Sequence, residues 1–162
     1  MSLRSEQLNI TIGRATPQQS TVVATMVAEL LAEIVEVTGA ATFDFDAVTA
    51  ATTARDMLER EKYFVFLAHS DADIALIAMY ESHALYTTGA FGTIAELYVR
   101  PEYRSLGVGK ELLNVARAFG LSRGWKRLEV TTPPLPQFDR ALRFYEKEGF
   151  STSGGRKLMV KL

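Results

Sequence analysis

Cysteine is absent from the 162 residues, which removes thiol nucleophiles, CxxC redox pairs, zinc-thiolate sites and disulfides together. A chain without disulfides fits a reducing compartment, so a cytoplasmic location is the expectation. Long apolar runs are also missing: none approaches the roughly 18 residues of a membrane span. The opening MSLRSEQLNI holds one arginine and no apolar core of signal-peptide length, so neither a membrane nor secretion is expected. An excess of one charge is lacking as well. Lys+Arg number 18 against Asp+Glu 19, leaving no basic footprint for nucleic acid; any anion must be gripped locally. The two histidines, His69 and His83, lie in separate strand-like segments without metal-ligand spacing, and no metal is expected. No GxSxG elbow marks a hydrolase.

What is present is an ordinary globular composition, with 48% apolar and 23% charged residues. The length suits one domain spanning residues 1–162. An apolar alternation at Asn9 to Ile12 reads as a strand. Thr16-Pro17 then opens a helix whose apolar residues, from Val22 to Val35, recur at helical spacing until Gly39. A second amphipathic helix runs from Ala47 to Glu61, capped by Asp44 or Asp46. Tyr63 to His69 and Ile74 to Tyr80 form a hairpin around Ser70-Asp71-Ala72-Asp73, and Gly89 and Gly92 punctuate the next connection. Thr93 to Arg100 is a strand, Val108 to Arg123 a helix, Arg127 to Thr132 a strand and Asp139 to Glu148 a helix. Phe150 to Ser153 and Lys157 to Leu162 make a last hairpin about Gly154-Gly155. The order predicts an α/β fold: a mixed sheet of six to seven strands flanked by about four helices.

Chemistry first shows in Tyr103-Arg104-Ser105-Leu106-Gly107-Val108-Gly109-Lys110. Two glycines between a strand and a helix let backbone N–H groups approach an anion, and the helix start adds partial positive charge. A P-loop would need glycine at Arg104 and serine or threonine at Glu111; a dinucleotide fingerprint would need a small residue at Leu112. Neither nucleoside triphosphate nor NAD is therefore favoured.

ELYVRPEYRSLGVGKELL, together with RALRFYEKEGF further on, resembles the GNAT superfamily of N-acetyltransferases. The resemblance is most diagnostic over Thr93 to Phe150, and the upstream order of elements extends it over nearly the whole chain. It implies acetyl-CoA as the acyl donor. The strand before the loop would splay from its neighbour, and the Leu97-Tyr98-Val99 stretch would pair with the pantetheine arm through Leu97 and Val99. The N–H groups of Ser105, Leu106, Gly107, Val108, Gly109 and Lys110 would hold the pyrophosphate, with Arg104 as a cationic donor. Arg104 and Lys110 also read as solvated surface charges.

Acetyl transfer to an amine needs a neutral amine, a stabilised oxyanion and a proton for the departing thiolate. With an alkyl-amine pKa near 10.4, only about one molecule in two thousand is neutral at pH 7, so a base or desolvation must supply the rest. Glu96 and Glu129, each in a strand, are the candidates, and both also read as salt-bridged or surface carboxylates. A backbone N–H near Val99 would hold the oxyanion. The resemblance places Tyr145 in an FYxxxGF pattern as the proton donor to the thiolate; the plainer reading is a packed aromatic. Family members often carry asparagine seven positions earlier, where this chain has Phe138. The absence of cysteine favours direct attack in a ternary complex over an acyl-enzyme.

Tyr80, Tyr86, Phe91 and His83 could line an acceptor pocket, and Asp44, Asp46 and Glu81 could attract a cationic amine. The resemblance assigns the shaping of the acceptor site to Gln18 to Glu61, and the acceptor is a small molecule or a peptide amine. A non-catalytic CoA-binding module and a longer acyl donor stand as alternatives. The alternating Leu158, Val160 and Leu162 offer an edge strand to a homodimer or to internal pairing.

Overall fold

The computed structural model describes residues 8–39 and 44–162, in two compact units, Met1–Thr131 and Thr132–Leu162. The first unit contains β1 (Thr11–Arg14), α1 (Ser20–Thr38), α2 (Ala47–Glu59), β2 (Phe64–His69), β3 (Asp73–Ala84), β4 (Gly89–Val99), α3 (Val108–Ser122) and β5 (Leu128–Val130). Its sheet runs in the order β1-β2-β3-β4-β5. The first three pairings are antiparallel and β4–β5 is parallel. The second unit contains one helix, α4 (Asp139–Lys147).

Local chemistry sets the helix ends. Thr16 donates its backbone N–H to the Gln19 side chain at 2.9 Å, and Pro17 opens the single 3-10 turn before α1. Gly39, at φ 69°, ends α1 with its N–H on the Val35 carbonyl at 2.8 Å, a left-handed position suited to glycine. Of the two expected caps for α2, Asp46 takes the role: its carboxylate accepts the Thr49 N–H at 2.8 Å and the Thr49 hydroxyl at 2.7 Å.

β2 is buried from Phe64 through Ala68 without polar alternation, because helices cover both faces of the sheet. On one face Val65, Leu67, Leu76, Ala78 and Tyr98 pack with Val23, Met26 and Val27 of α1 and Ala54 and Leu58 of α2. On the other, the Phe64 and Phe66 rings meet Phe119 of α3 at 5.0 and 5.4 Å.

Two features of β4 depart from the expected pattern. Gly92 lies inside the strand rather than in a connection. A Cβ there would stand 2.4 Å from the Trp125 ring and 2.6 Å from Leu128, so the glycine admits the indole against the sheet. The β3–β4 register also shifts: Met79 pairs with Ile94 but Ala78 pairs with Glu96, leaving Ala95 as an extra residue. Strict alternation would put residues 94 and 96 on one face; the bulge sends Ile94 toward the α3 side and Glu96 toward the α1–α2 side.

Among the described residues the sheet has five strands, not six to seven. Residues 151–162 form no strand and are exposed throughout, so the expected last hairpin is absent, and with it the edge offered to a second copy. Alternation at Leu158, Val160 and Leu162 supplies one apolar face, but a strand also needs a ladder partner.

Candidate active site

The sequence loop leads to an open strand edge. β4 pairs with β5 only at Gly92, Thr93 and Ile94, so among the described residues Ala95 to Val99 have no β5 partner. Arg100 donates its N–H to Ile74 of β3 at 2.9 Å. Backbone direction alternates along a strand, so the N–H and C=O groups of Leu97 and Val99 point away from β3, into the opening. Tyr98 has the opposite backbone direction, and its side chain is buried in the α1–α2 core.

Beyond the edge, Ser105 at φ 62° and Gly107 at φ 83° turn the chain into α3. The first bond of the helix runs from the Glu111 N–H to the Gly107 carbonyl at 3.1 Å, so the N–H groups of Val108, Gly109 and Lys110 precede the intrahelical ladder. This end suits an anion. Lys110 is exposed.

Arg104, expected as a cationic donor to that anion, is engaged elsewhere. Its two terminal nitrogens bind Glu33 of α1, each at 2.7 Å, and its Nε donates to the Val99 carbonyl at 2.8 Å. Arg100 repeats the arrangement one helical turn away, gripping Glu29 at 3.0 and 3.1 Å and the Asp73 carbonyl at 2.8 Å. Both pairs are partly shielded, and their forked geometry ties α1 to the start and end of the β4–α3 connection.

On the other side of β4 lies a cavity of about 500 Å³, lined by Val23, Ala24 and Val27 of α1, one face of α2, Asp44 to Asp46, Tyr63 and Glu96. Glu96 accepts the Tyr63 hydroxyl at 2.5 Å. Burial pushes the Glu96 carboxyl above its usual range, and the Tyr63 hydrogen bond opposes that rise. The Tyr63 phenol is held well above its own ordinary value, first by burial and then by the adjacent Glu96 charge.

Glu129 is placed differently. Its carboxylate is paired with Arg127 at 2.5 Å, and it does not line the cavity. Glu81 is occupied too: it accepts the Trp125 indole N–H at 2.6 Å and Arg123 at 3.2 Å, with His83 at 3.3 Å. These donors, the indole first, lower its pKa. Of the aromatic group expected to line a pocket, Phe91 is buried and Tyr86 is exposed, with Arg127 over both rings; none of that group lines this cavity. In the second unit, Tyr145 is buried, its ring 5.3 Å from Phe144 and 5.4 Å from Phe150. Burial raises its pKa and makes it a weaker acid. Phe138 precedes α4 at the N-cap, and Asp139 is the first residue of that helix.

The sequence reading missed Tyr63 and Glu33. Tyr63 looked like a strand start, and Glu33 like one more polar position on an amphipathic helix; the spacing of Glu29 and Glu33 matches that of Arg100 and Arg104, a signal visible only once the elements are neighbours.

The family model for the acetyltransferase (GNAT) domain matches residues 59–152, more than half of the chain. This chain belongs to the GNAT family. As a GNAT member it is an N-acetyltransferase, and its fold recurs in solved structures. An aminoglycoside acetyltransferase from an uncultured soil metagenomic sample, in complex with trehalose, is 17% identical with a TM-score of 0.75, covering 94% of this chain and 96% of that one. A ribosomal-protein-alanine N-acetyltransferase from Brucella melitensis biovar Abortus 2308 is also 17% identical, at TM-score 0.71, with coverages of 94% and 100%. A predicted acetyltransferase with acetyl-CoA from Clostridium acetobutylicum is 15% identical, at TM-score 0.77, with coverages of 94% and 96%. At such identities the likeness concerns the fold. Among curated protein sequences, none matches this GNAT chain. No helix among the described residues is long and apolar enough to cross a membrane, and no group of three or more His, Asp or Glu among them is arranged to hold a metal ion.

Proposed function

We propose that the protein moves an acetyl group from acetyl-CoA to a primary amine seated in the α1–α2 cavity, with Glu96 as general base. One observation carries the reading: within four residues, β4 turns the Glu96 carboxylate into a cavity and the Leu97 and Val99 backbone toward an edge without a β5 partner. Acceptor and donor can then meet across a single strand.

The donor supplies an activated acetyl group as its thioester. Leu97 offers its N–H and C=O and Val99 its N–H to the amide-bearing arm, and the start of α3 offers Val108, Gly109 and Lys110 N–H groups to the diphosphate. Arg104 acts through position, holding Glu33 and the Val99 carbonyl. The acceptor arrives as an ammonium ion, and Glu96 takes its proton. A carboxyl raised by burial is a stronger base than an exposed one, which suits this work near neutral pH. Glu129, neutralised by Arg127, is not assigned the role. The FYxxxGF pattern is what supports Tyr145 as proton donor to the departing thiolate.

The test combines binding and turnover. Acetyl-CoA and desulfo-CoA should each raise the melting temperature while NADH does not, by roughly 5 to 10 °C at a hundredfold excess over Kd. Thiol release should require an amine and give intersecting double-reciprocal lines. Stabilisation by acetyl-CoA without turnover on any amine would instead make the protein a CoA-binding module.

A further inference from the structure

Glu96 meets Tyr63 across an intervening strand. Tyr63 immediately precedes β2, Glu96 stands on β4, and β3 lies between them. In the ladder Ala78 pairs with Val65 on one side and with Glu96 on the other, so these three side chains share the α1–α2 face. Tyr63, two positions before Val65, joins them there. Two strand spacings, about 9.6 Å, separate the backbones of β2 and β4. Ala78 is fully buried, and its methyl group leaves the space over β3 in which phenol and carboxylate meet. The bulge at Ala95 is the second requirement: without it Glu96 would keep the face of Ile94, on the far side of the sheet from Tyr63.

The contact fixes one oxygen of the carboxylate. The Tyr63 hydroxyl donates to Oε2 of Glu96 at 2.5 Å, and both residues line the cavity. The neighbouring titratable groups are committed or stand elsewhere. Tyr98, on the same face of β4, is hydrogen-bonded to Glu29 of α1; Asp44 and Asp46 line the cavity at the start of α2, where Asp46 is taken up by Thr49. No lysine, arginine or histidine lines the cavity among the described residues.

We propose that Tyr63 is a positioning residue for acetyl transfer: by holding Oε2 it turns Oε1 of Glu96 toward the acceptor nitrogen. The inference rests on Glu96 being the base and adds what aims it. The last torsion of a glutamate is broad, so an unheld carboxylate offers its oxygens over many angles. A held one presents a single acceptor in one direction, and a misplacement of about 1 Å can cost about a hundredfold in rate. A phenol suits this task because its ring packs in the core while its hydroxyl donates without adding positive charge. A guanidinium in its place would neutralise the base, as Arg127 neutralises Glu129. Orientation also acts at every pH at which Glu96 is ionised, which separates it from a shift in the titration of Glu96.

Thiol release from saturating acetyl-CoA with hexylamine, benzylamine and glycinamide, followed from about pH 6 to 9, tests this on the full chain. Tyr63→Phe keeps the ring and loses the hydroxyl. Its kcat should fall about tenfold on the plateau above the acid limb of its own profile, while acetyl-CoA affinity, measured by calorimetry, changes less than about twofold. Thermal unfolding checks that the variant is folded. In a Glu96→Gln background the same substitution should lower kcat no further, because no base is left to aim. Full activity of Tyr63→Phe on the plateau, with the loss confined to the acid limb, overturns the positioning role and leaves Glu96 as base. A plateau loss of equal size with and without Glu96 overturns it as well, since Tyr63 would then act independently of the base. Unaltered kcat in Glu96→Gln, or stabilisation by acetyl-CoA with no thiol release from any of the three amines, overturns both the inference and the reading beneath it.

Discussion

The proposed donor edge and the proposed acceptor cavity share β4 but are built in opposite ways. The donor edge uses backbone groups from residues 97 to 110, and its capacity comes from a missing strand partner and a helix end. The cavity uses side chains drawn from positions 23 to 96, brought together by two helices and a strand. A backbone site tolerates changes of side chain while retaining its hydrogen-bonding pattern. A side-chain site can change chemistry at each position with the sheet intact. α1 joins the two: Val23 and Val27 wall the cavity, while Glu29 and Glu33 further along hold Arg100 and Arg104 at the donor connection.

Glu96→Gln should separate these regions most strongly. We expect kcat to fall at least about a hundredfold, within the range for general-base loss, while acetyl-CoA affinity, measured by calorimetry, changes less than about threefold. Equal loss in both quantities would remove the division between acceptor and donor sides.

Gly92→Ala addresses the shared sheet. Its new Cβ meets Trp125 and Leu128 well inside normal contact distance, and overpacking of this kind costs about 1–3 kcal/mol. Chemical denaturation should show a lower midpoint with little change in slope.

Glu33→Gln tests the donor side. It removes the ionic partner of Arg104 but keeps an amide of similar shape, so acetyl-CoA affinity should weaken about three- to tenfold while kcat at saturating donor is nearly unchanged. A fall in kcat with unaltered affinity would reassign the pair to the acceptor side.

Tyr63→Phe sharpens the acceptor side through pH. The Tyr63 hydroxyl favours ionised Glu96 and lowers a pKa that burial raises. Removing it should raise that pKa further, so the acid limb of the kcat/KM profile moves to higher pH. A shift to lower pH would show that Glu96 is not the titrating base.

Asp46→Ala should have the smallest effect on stability, about 1 kcal/mol from a lost helix cap, measurable as a lower melting temperature that Asp46→Asn largely avoids.

The legibility of each region follows from its construction. Arg104 to Lys110 were recognisable because the glycines and helix start lie together in sequence, although the loop did not reveal that Arg104 would bind Glu33. Asp46 was legible as one of two caps, since capping is local. Glu96 stood out as a carboxylate in an apolar strand, but Glu129 looked equivalent until the structure gave it Arg127 and gave Glu96 the cavity. Gly92 was misread as a turn signal because its requirement comes from Trp125, 33 positions away. The final alternation at Leu158, Val160 and Leu162 suggested a strand without specifying a partner.

The sequence by itself determined the helix and strand periods, the caps, the glycine-rich entry to α3 and the carboxylates available for catalysis, because these depend on neighbours within a few residues. Tertiary structure decided which glutamate faces the cavity, which strand edge stays open and which anion holds Arg104. Those outcomes depend on a one-residue bulge at Ala95 and on packing between segments far apart in the chain, where a change of register reverses the face a side chain presents.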